Sequence, residues 1–383
     1  MRVLASLVVT FMMLFMGFYG IIIIALSAGK ESYALVAAGL VLTLIVFANL
    51  GVWGQFSKKG VRFAFLGIIS CFVLFVAIEG GKAWHLRSLQ IMSTQDVDLT
   101  VYEPFKNDSL VAVLDSQASL KLESPLPQLD GSTALYPIYS AFAQAVYPKQ
   151  TYDSIKSEVR STQTSGAWVS LFKGEADLIF APDPSSKMED QAKMLDKEIK
   201  LTPIGKEAFV FFVHKDNTVS DVTLEQVQQI YAGEITNWKE LGGKDEPILA
   251  FQRPEDSGSQ QMLNKVMGTK RLMEAPKEQF VSGMGGIIEE TLDYENRKNA
   301  IGFSFRFFSE TMVQNNKIKH LSINGVAPSI ETIQQDSYPL VSPFYAIYLA
   351  DTENPNIELF VEWMKSEEGQ TLVKRTGYVP FHE

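Results

Sequence analysis

Cysteine is almost missing from this chain: its 383 residues hold one, Cys71. A disulfide framework needs pairs and a thiolate metal site needs several sulfurs, so both are excluded. Histidine is nearly as scarce. The four present (His85, His214, His320 and His382) are scattered, with nothing like the spacing of a zinc-binding HExxH helix. Any metal would have to be held by carboxylates alone, and no cofactor is expected. The net charge turns negative beyond the first fifth of the chain. Through Glu79, five basic residues (Arg2, Lys30, Lys58, Lys59 and Arg62) stand against two acidic ones, a balance of +3; with the whole chain at −10, residues 80–383 carry −13. Binding to a phosphodiester backbone relies on clustered Lys and Arg, so nucleic acid is not an expected partner. Internal repeats and low-complexity linkers are also lacking. No Ser-His-Asp order or carboxylate cluster stands out to mark a hydrolase, and the chain is read as a non-enzyme.

What the chain does have is a concentration of apolar residues at its start. A bilayer core takes about twenty mainly apolar residues per helix. Val3–Leu26, Tyr33–Trp53 and Phe63–Ala77 meet or approach that length, and none carries an internal charge. They are read as three transmembrane helices forming an anchor over residues 1–79, with Ala37, Ala38 and Gly39 small enough to let helices approach one another. Lys and Arg gather on the cytoplasmic side of a membrane. Arg2 and the Gly54–Arg62 loop therefore face the cytoplasm, and the Ser27–Ser32 loop, where Glu31 offsets Lys30, lies opposite. The expected location is the cell (inner) membrane, multi-pass, with residues 80–383 periplasmic or extracellular. A cleaved signal peptide ending near Ala25-Leu26-Ser27-Ala28 is the alternative for the first stretch, and it leaves the later residues on the same side.

Residues 80–125 show no strong period and are read as a connecting segment. From Leu126 strand-like runs alternate with helical ones, the pattern of an α/β fold. Strands are predicted at Ser157–Thr162, Ala176–Ala181, Ala208–Val213, Pro247–Gln252, Ala300–Phe305, Ile318–Ser322 and Phe344–Ala350. Helices are predicted at Tyr136–Val146, Thr164–Phe172, Ser185–Asp196, Leu224–Tyr231, Ser257–Val266, Gly286–Tyr294 and Ile357–Lys365. Residues 204–307 form a block inserted within another (126–203 and 308–383), with crossings near Thr202–Glu207 and Phe305–Glu310. That is the path of a two-lobe clamshell, whose cleft is a natural ligand site.

Three segments share a design in which a strand ends, small hydroxyl and glycine residues follow, and a helix begins: Gly131-Ser132-Thr133, Thr164-Ser165-Gly166 and Ser257-Gly258-Ser259. A helix start offers unpaired N–H groups and the positive end of the macrodipole, which suits an anion. Ser and Thr are also the usual caps of any helix, so each segment alone has an ordinary explanation. The third follows Arg253, whose guanidinium can make two parallel bonds to a tetrahedral oxyanion. Glu255, two residues on, is placed to hold it.

These segments resemble the phosphate-binding proteins of the PstS type, which serve ABC transporters and have the type II periplasmic-binding-protein fold. The resemblance spans Leu126–Phe381. It rests most specifically on IYAGEITNWKELGG (Ile230–Gly243) and RPEDSGSQ (Arg253–Gln260), with support from Asp130–Pro137, Gly174–Ala181, Ala300–Ser304 and Gly369–Pro380. It implies that Ser132, Thr133, Thr164, Ser165, Gly166, Arg253, Ser257, Gly258 and Ser259 line the ligand site, with Glu255 pairing Arg253. Two departures bear on ligand choice. The family's proton-accepting aspartate has its nearest counterpart in Asp183, one position late, and Asp256 replaces a glycine beside the donors. The implied ligand is inorganic phosphate or a related oxyanion, and the implied partner an ABC permease. A sensor using the same clamshell with a membrane signalling partner is the second reading.

Overall fold

The computed structural model describes residues 1–28, 31–89, 97–255, 257–274, 298–313 and 317–381. The predicted helix Gly286–Tyr294 and Asp256 lie outside these residues. The chain divides into two compact units, Met1–Leu89 and Gln90–Glu383.

The first unit holds α1 (Arg2–Ala28), α2 (Glu31–Val52) and α3 (Lys59–Leu89). Ser6 and Thr10 of α1 meet Asn49 near the end of α2, and Gly17 meets Val41 nearer its start, so the two helices run antiparallel. A Cβ on Gly17 would lie 2.5 Å from Val41 Cγ1, and the missing side chain is what lets the backbones close. Asn49 also caps its own helix turn through Ile45 O, so this polar group is satisfied within the apolar pair. One 18-residue window among the described residues, Arg2–Tyr19, is long and apolar enough to cross a membrane, with mean hydropathy 1.8. Val36–Val52 is a shorter apolar helix, and three crossings are thus more than the described helices establish by length and composition.

The second unit is built on β3 (Ile199–His214), a strand of 16 residues that belongs to both lobes. Before it come β1 (Leu129–Gly131), α4 (Tyr136–Val146), α5 (Gln163–Lys173), β2 (Leu178–Ala181) and α6 (Ser186–Met194). After it follow β4 (Asp221–Val222), α7 (Leu224–Ala232), β5 (Leu249–Ala250), α8 (Gly258–Met267), β6 (Ala300–Phe305), β7 (Ile318–His320) and β8 (Ser322–Ile323). The chain closes with α9 (Ile330–Gln334), β9 (Val341–Leu349), α10 (Asn356–Lys365), α11 (Glu367–Thr376) and β10 (Val379–Pro380). The first half of β3 pairs antiparallel with β9 from Ile199↔Leu349 to Ala208↔Val341, and β9 continues to β2 and β1. Its second half pairs with β6 from Phe209↔Phe305 to Val213↔Ile301, and β6 continues to β5. The switch from one partner to the other, between Ala208 and Phe209, marks where the lobes join.

Period-two alternation sorts the core. In β2, Leu178 and Phe180 face a cluster with Tyr139 and Phe142, where the Tyr139 and Phe180 rings stack at 4.9 Å. Ile179 and Ala181 face the other side with Trp168 and Leu171 of α5. Lobe one is therefore a sheet with helices on both faces. The stretch read as a connector contributes Tyr102, Val111, Ala118 and Leu122 to the larger cluster. It is strapped down by Ser119 on Glu368 and by Asp115 on Arg375.

Some predicted elements differ from those observed. Ser157–Thr162 forms no strand and touches β1 by a single bridge, Leu129↔Val159. The run is too polar to be buried on both faces, and its groups serve the turn into α5 instead. The predicted strand Ala208–Val213 is the second half of β3, which begins nine residues earlier, at Ile199. The helix α11 was not predicted.

Candidate functional site

The site is assembled by the ends of β1, β2 and β5 and by the starts of the helices that follow them. Asp130, fully buried at the end of β1, organises the first lobe's half. Its carboxylate accepts from Gly131 N at 2.8 Å, Thr162 N at 2.8 Å, Thr162 Oγ1 at 2.8 Å and Arg160 Nε at 3.2 Å. One buried acid thus ties the turn into α4 to the turn into α5. Ser132 and Thr133, both buried, follow at a short 3-10 turn that leads into α4. The Ser132 side chain makes no capping bond there, so the ordinary explanation for its hydroxyl does not apply.

Helix α5 begins earlier than the sequence suggested. Its N-cap is Thr162, whose hydroxyl goes to Asp130 instead of capping, and Gln163 takes a left-handed φ of 65°. Thr164, Ser165 and Gly166 are therefore the first-turn residues whose N–H groups lack intrahelical acceptors. Thr164 is buried.

The second lobe supplies Arg253 and the start of α8. The Arg253 backbone N–H donates to Gln260 Oε1 at 2.8 Å, and its Nη1 donates to Ser259 Oγ at 2.7 Å. Arg253, Ser259 and Gln260 are all buried. Ser257 behaves as a plain cap, accepting from Gln260 N at 3.2 Å. That leaves the Gly258 and Ser259 N–H groups as the open donors of the first turn. Glu255 is exposed, and the group holding Arg253 Nη1 is Ser259; a Glu255–Arg253 ion pair is not among the contacts between described residues.

The two halves meet. A Cβ on Gly258 would lie 2.8 Å from Thr164 Oγ1, so the start of α8 packs directly on the start of α5. Alanine at Gly258 should hold these helix starts apart and weaken ligand binding at least about tenfold, or 1.4 kcal/mol, in a calorimetric titration. Unchanged affinity would mean the ligand does not need the two turns together.

Asp183, expected beside the ligand as a proton acceptor, sits on the first lobe facing α8. Lys265 Nζ donates to its Oδ2 at 2.6 Å. Burial pushes the Tyr345 hydroxyl up, and its bond with Asp183 pushes it further. The sequence reading assigned no role to Asp130, Gln260 or Lys265. Asp130 and Gln260 lie inside the motifs that carry the resemblance, and the signal was an acid and an amide flanked by buried residues.

A second polar cluster lies where the chain leaves the second lobe. Ser309 Oγ is 2.8 Å from His320 Nε2, and His320 Nδ1 is 3.2 Å from Glu310 Oε1, an array shaped like a hydrolase triad. Carbonyls only accept, and Ser309 Oγ lies 3.2 Å from Phe305 O and 3.0 Å from Arg306 O. These carbonyls compete with His320 for the single hydroxyl hydrogen, which is therefore not reserved for transfer to the imidazole. Arg306 Nη1 holds the other oxygen of Glu310 at 2.8 Å. Burial alone pushes the Glu310 carboxyl up, but His320 and Arg306 outweigh it and bring it below its usual value. A lowered carboxyl adds stability above its unfolded value of about 4.3, lost as pH falls through the lower folded value. Thermal stability should drop below about pH 4, and Glu310→Gln should flatten that drop.

Among the described residues no group of His, Cys, Asp or Glu side chains is gathered to hold a metal. A family profile described as PBP superfamily domain matches residues 126–368. The phosphate-binding protein PstS of Bacillus subtilis is 26% identical over 258 residues, covering 66% of this chain and 79% of that protein. The PstS of Borreliella burgdorferi is 25% identical over 191 residues, 48% of this chain and 67% of that protein. A phosphate ABC transporter substrate-binding protein from Clostridium perfringens, solved with bound phosphate, matches at TM-score 0.53 and 25% identity, covering 66% of this chain and 98% of its own. The chain belongs to the PBP superfamily.

Proposed function

We propose that this member of the PBP superfamily is a membrane-anchored extracytoplasmic binding protein that captures phosphate or a similar oxyanion for ABC-type uptake. The observation that carries the reading is the buried Arg253 guanidinium, bonded to Ser259 beside the Gly258–Thr164 contact. A buried cation beside the starts of two touching helices, whose first-turn N–H groups are open, is an arrangement suited to a tetrahedral oxyanion. The relatives named above are phosphate-binding proteins by title, in keeping with this chemistry. The site residues are Ser132, Thr133, Thr164, Ser165, Gly166, Arg253, Gly258 and Ser259, with Ser257 as cap and Asp130 and Gln260 as positioning residues. Residues 126–203 and 308–383 make one lobe and 204–307 the other.

The three N-terminal helices form the anchor, integral in the cell membrane with the N-terminus cytoplasmic. The apolar window of α1, the apolar α2 and the Lys58-Lys59-Arg62 cluster between α2 and α3 support this topology. A ligand that binds only the folded state raises its melting temperature. Inorganic phosphate should therefore raise the melting temperature of the full-length protein in a saturable way, and chloride at equal ionic strength should not. A phosphatase reporter fused after Trp84 should be active and one fused within Gly54–Arg62 inactive. Equal shifts with phosphate and chloride would sink the binding role, and the reversed reporter pattern would sink the topology.

A further inference from the structure

The lobes already touch at the helix starts, through Gly258 on Thr164, and they are bridged further out by Lys265 Nζ on Asp183 Oδ2 at 2.6 Å. Yet a cavity of about 730 Å³ persists between α8 and the Pro182–Met188 segment, and Gly258 forms part of its wall. It lies between the two lobes, beside the point where the helix starts touch. Ligand pockets for small organic molecules run to about 300–1,000 Å³, of which a bare tetrahedral oxyanion fills a small part.

We propose that the ligand of this cleft is a phosphate monoester of a small polyol, with the phosphoryl group at the helix starts and the hydroxylated substituent in this cavity. The proposal rests on the reading of the cleft as a phosphate site and extends it. The lining decides the class of substituent. Among the described lining residues Lys187 and Lys265 are balanced by Asp183 and Glu255, so these offer no surplus positive charge to a second anionic group. Ser186, Gln261 and Asn264 also line it, and their hydroxyl and amide groups both donate and accept, as alcohol groups require. Met188 and Met262 supply polarizable apolar wall for a short carbon skeleton. None of the described lining residues is aromatic, so a nucleobase would find no ring to stack on.

The test is calorimetric titration of the full-length protein in detergent with inorganic phosphate and with glycerol 3-phosphate. The wild type should bind the ester at least as tightly as phosphate, each displacing the other. Ser186→Trp and, separately, Gln261→Trp put a ring into the cavity without replacing a residue that holds Arg253 or its partners. Each should weaken the ester at least about tenfold while leaving phosphate within about twofold. Retained phosphate binding reports that the variant is folded. Phosphate binding without ester binding, or equal weakening of both ligands in both variants, overturns the inference and leaves the phosphate reading standing. Binding of neither ligand by the wild type overturns that reading, and the inference with it.

Discussion

Arg253→Ala is expected to weaken phosphate binding by about 2–5 kcal/mol, the usual range for removing one partner of a buried, hydrogen-bonded charge pair. Arg253 is 6% exposed, so its charge is only weakly screened by water and its bond to an anion is correspondingly strong. Lysine should restore little of the loss. Its ammonium is a point charge that cannot bond Ser259 and fork onto two oxyanion oxygens at once. Ser259→Ala should cost less, because it frees Nη1 without removing the charge. Titration of each variant with phosphate measures the series, and its order matters as much as its size. Equal, small losses in all three would place the ligand away from Arg253.

The largest stability effect is expected at Arg306. This residue is 5% exposed where the chain leaves β6, and its Nε lies 3.3 Å from Glu207 Oε1 of β3, close to the point where that strand changes partners. Arg306 Nη2 also donates to Gly377 O at 2.7 Å, and Glu207 accepts from Ala208 N at 2.8 Å and Phe307 N at 3.1 Å. The pair thus joins both strands that connect the lobes. Arg306→Met should destabilise the protein by about 3–5 kcal/mol, because it leaves the Glu207 charge buried without its cation. Burial already pushes the Glu207 carboxyl up, with Arg306 pulling the other way. Without Arg306 it rises further. A carboxyl raised in the folded state contributes stability below its unfolded value and loses it as pH rises through the folded value. The Arg306→Met variant should therefore gain relative stability as pH is lowered from neutral. Glu207→Gln with Arg306→Met should recover much of the loss, since the uncompensated charge is then gone. Thermal unfolding of the three proteins at neutral and mildly acid pH checks this, and a double variant no better than the single one would contradict it.

The parts of this molecule that were legible in its sequence are those fixed by local pattern. Tyr136–Val146 was predicted residue for residue, and so was Ala300–Phe305. Each is an almost unbroken apolar run, buried along nearly its whole length. The α11 helix was legible in principle: Ser366 caps it, Glu367 and Glu368 occupy its first turn, and Lys374 and Arg375 its last. Its polar composition and Gly369 obscured the apolar stripe. The double membership of β3 was not legible, because Ile199–Leu201 reads as an edge and only pairing with β9 extends the strand. At the site, the sequence marked hydroxyls and glycines by type. It could not tell the cap Ser257 from the non-capping Ser132, nor turn Asp183 toward Lys265, since both depend on neighbours far away in the chain.

The central claim is that a phosphate group binds where the starts of α5 and α8 meet beside Arg253. Isothermal titration of the full-length wild type and of Arg253→Ala with inorganic phosphate tests it most directly. The account predicts saturable binding of one phosphate per chain in the wild type, and a loss of about 2–5 kcal/mol in the variant. Absence of binding by the wild type, or equal affinity in the two proteins, would contradict it.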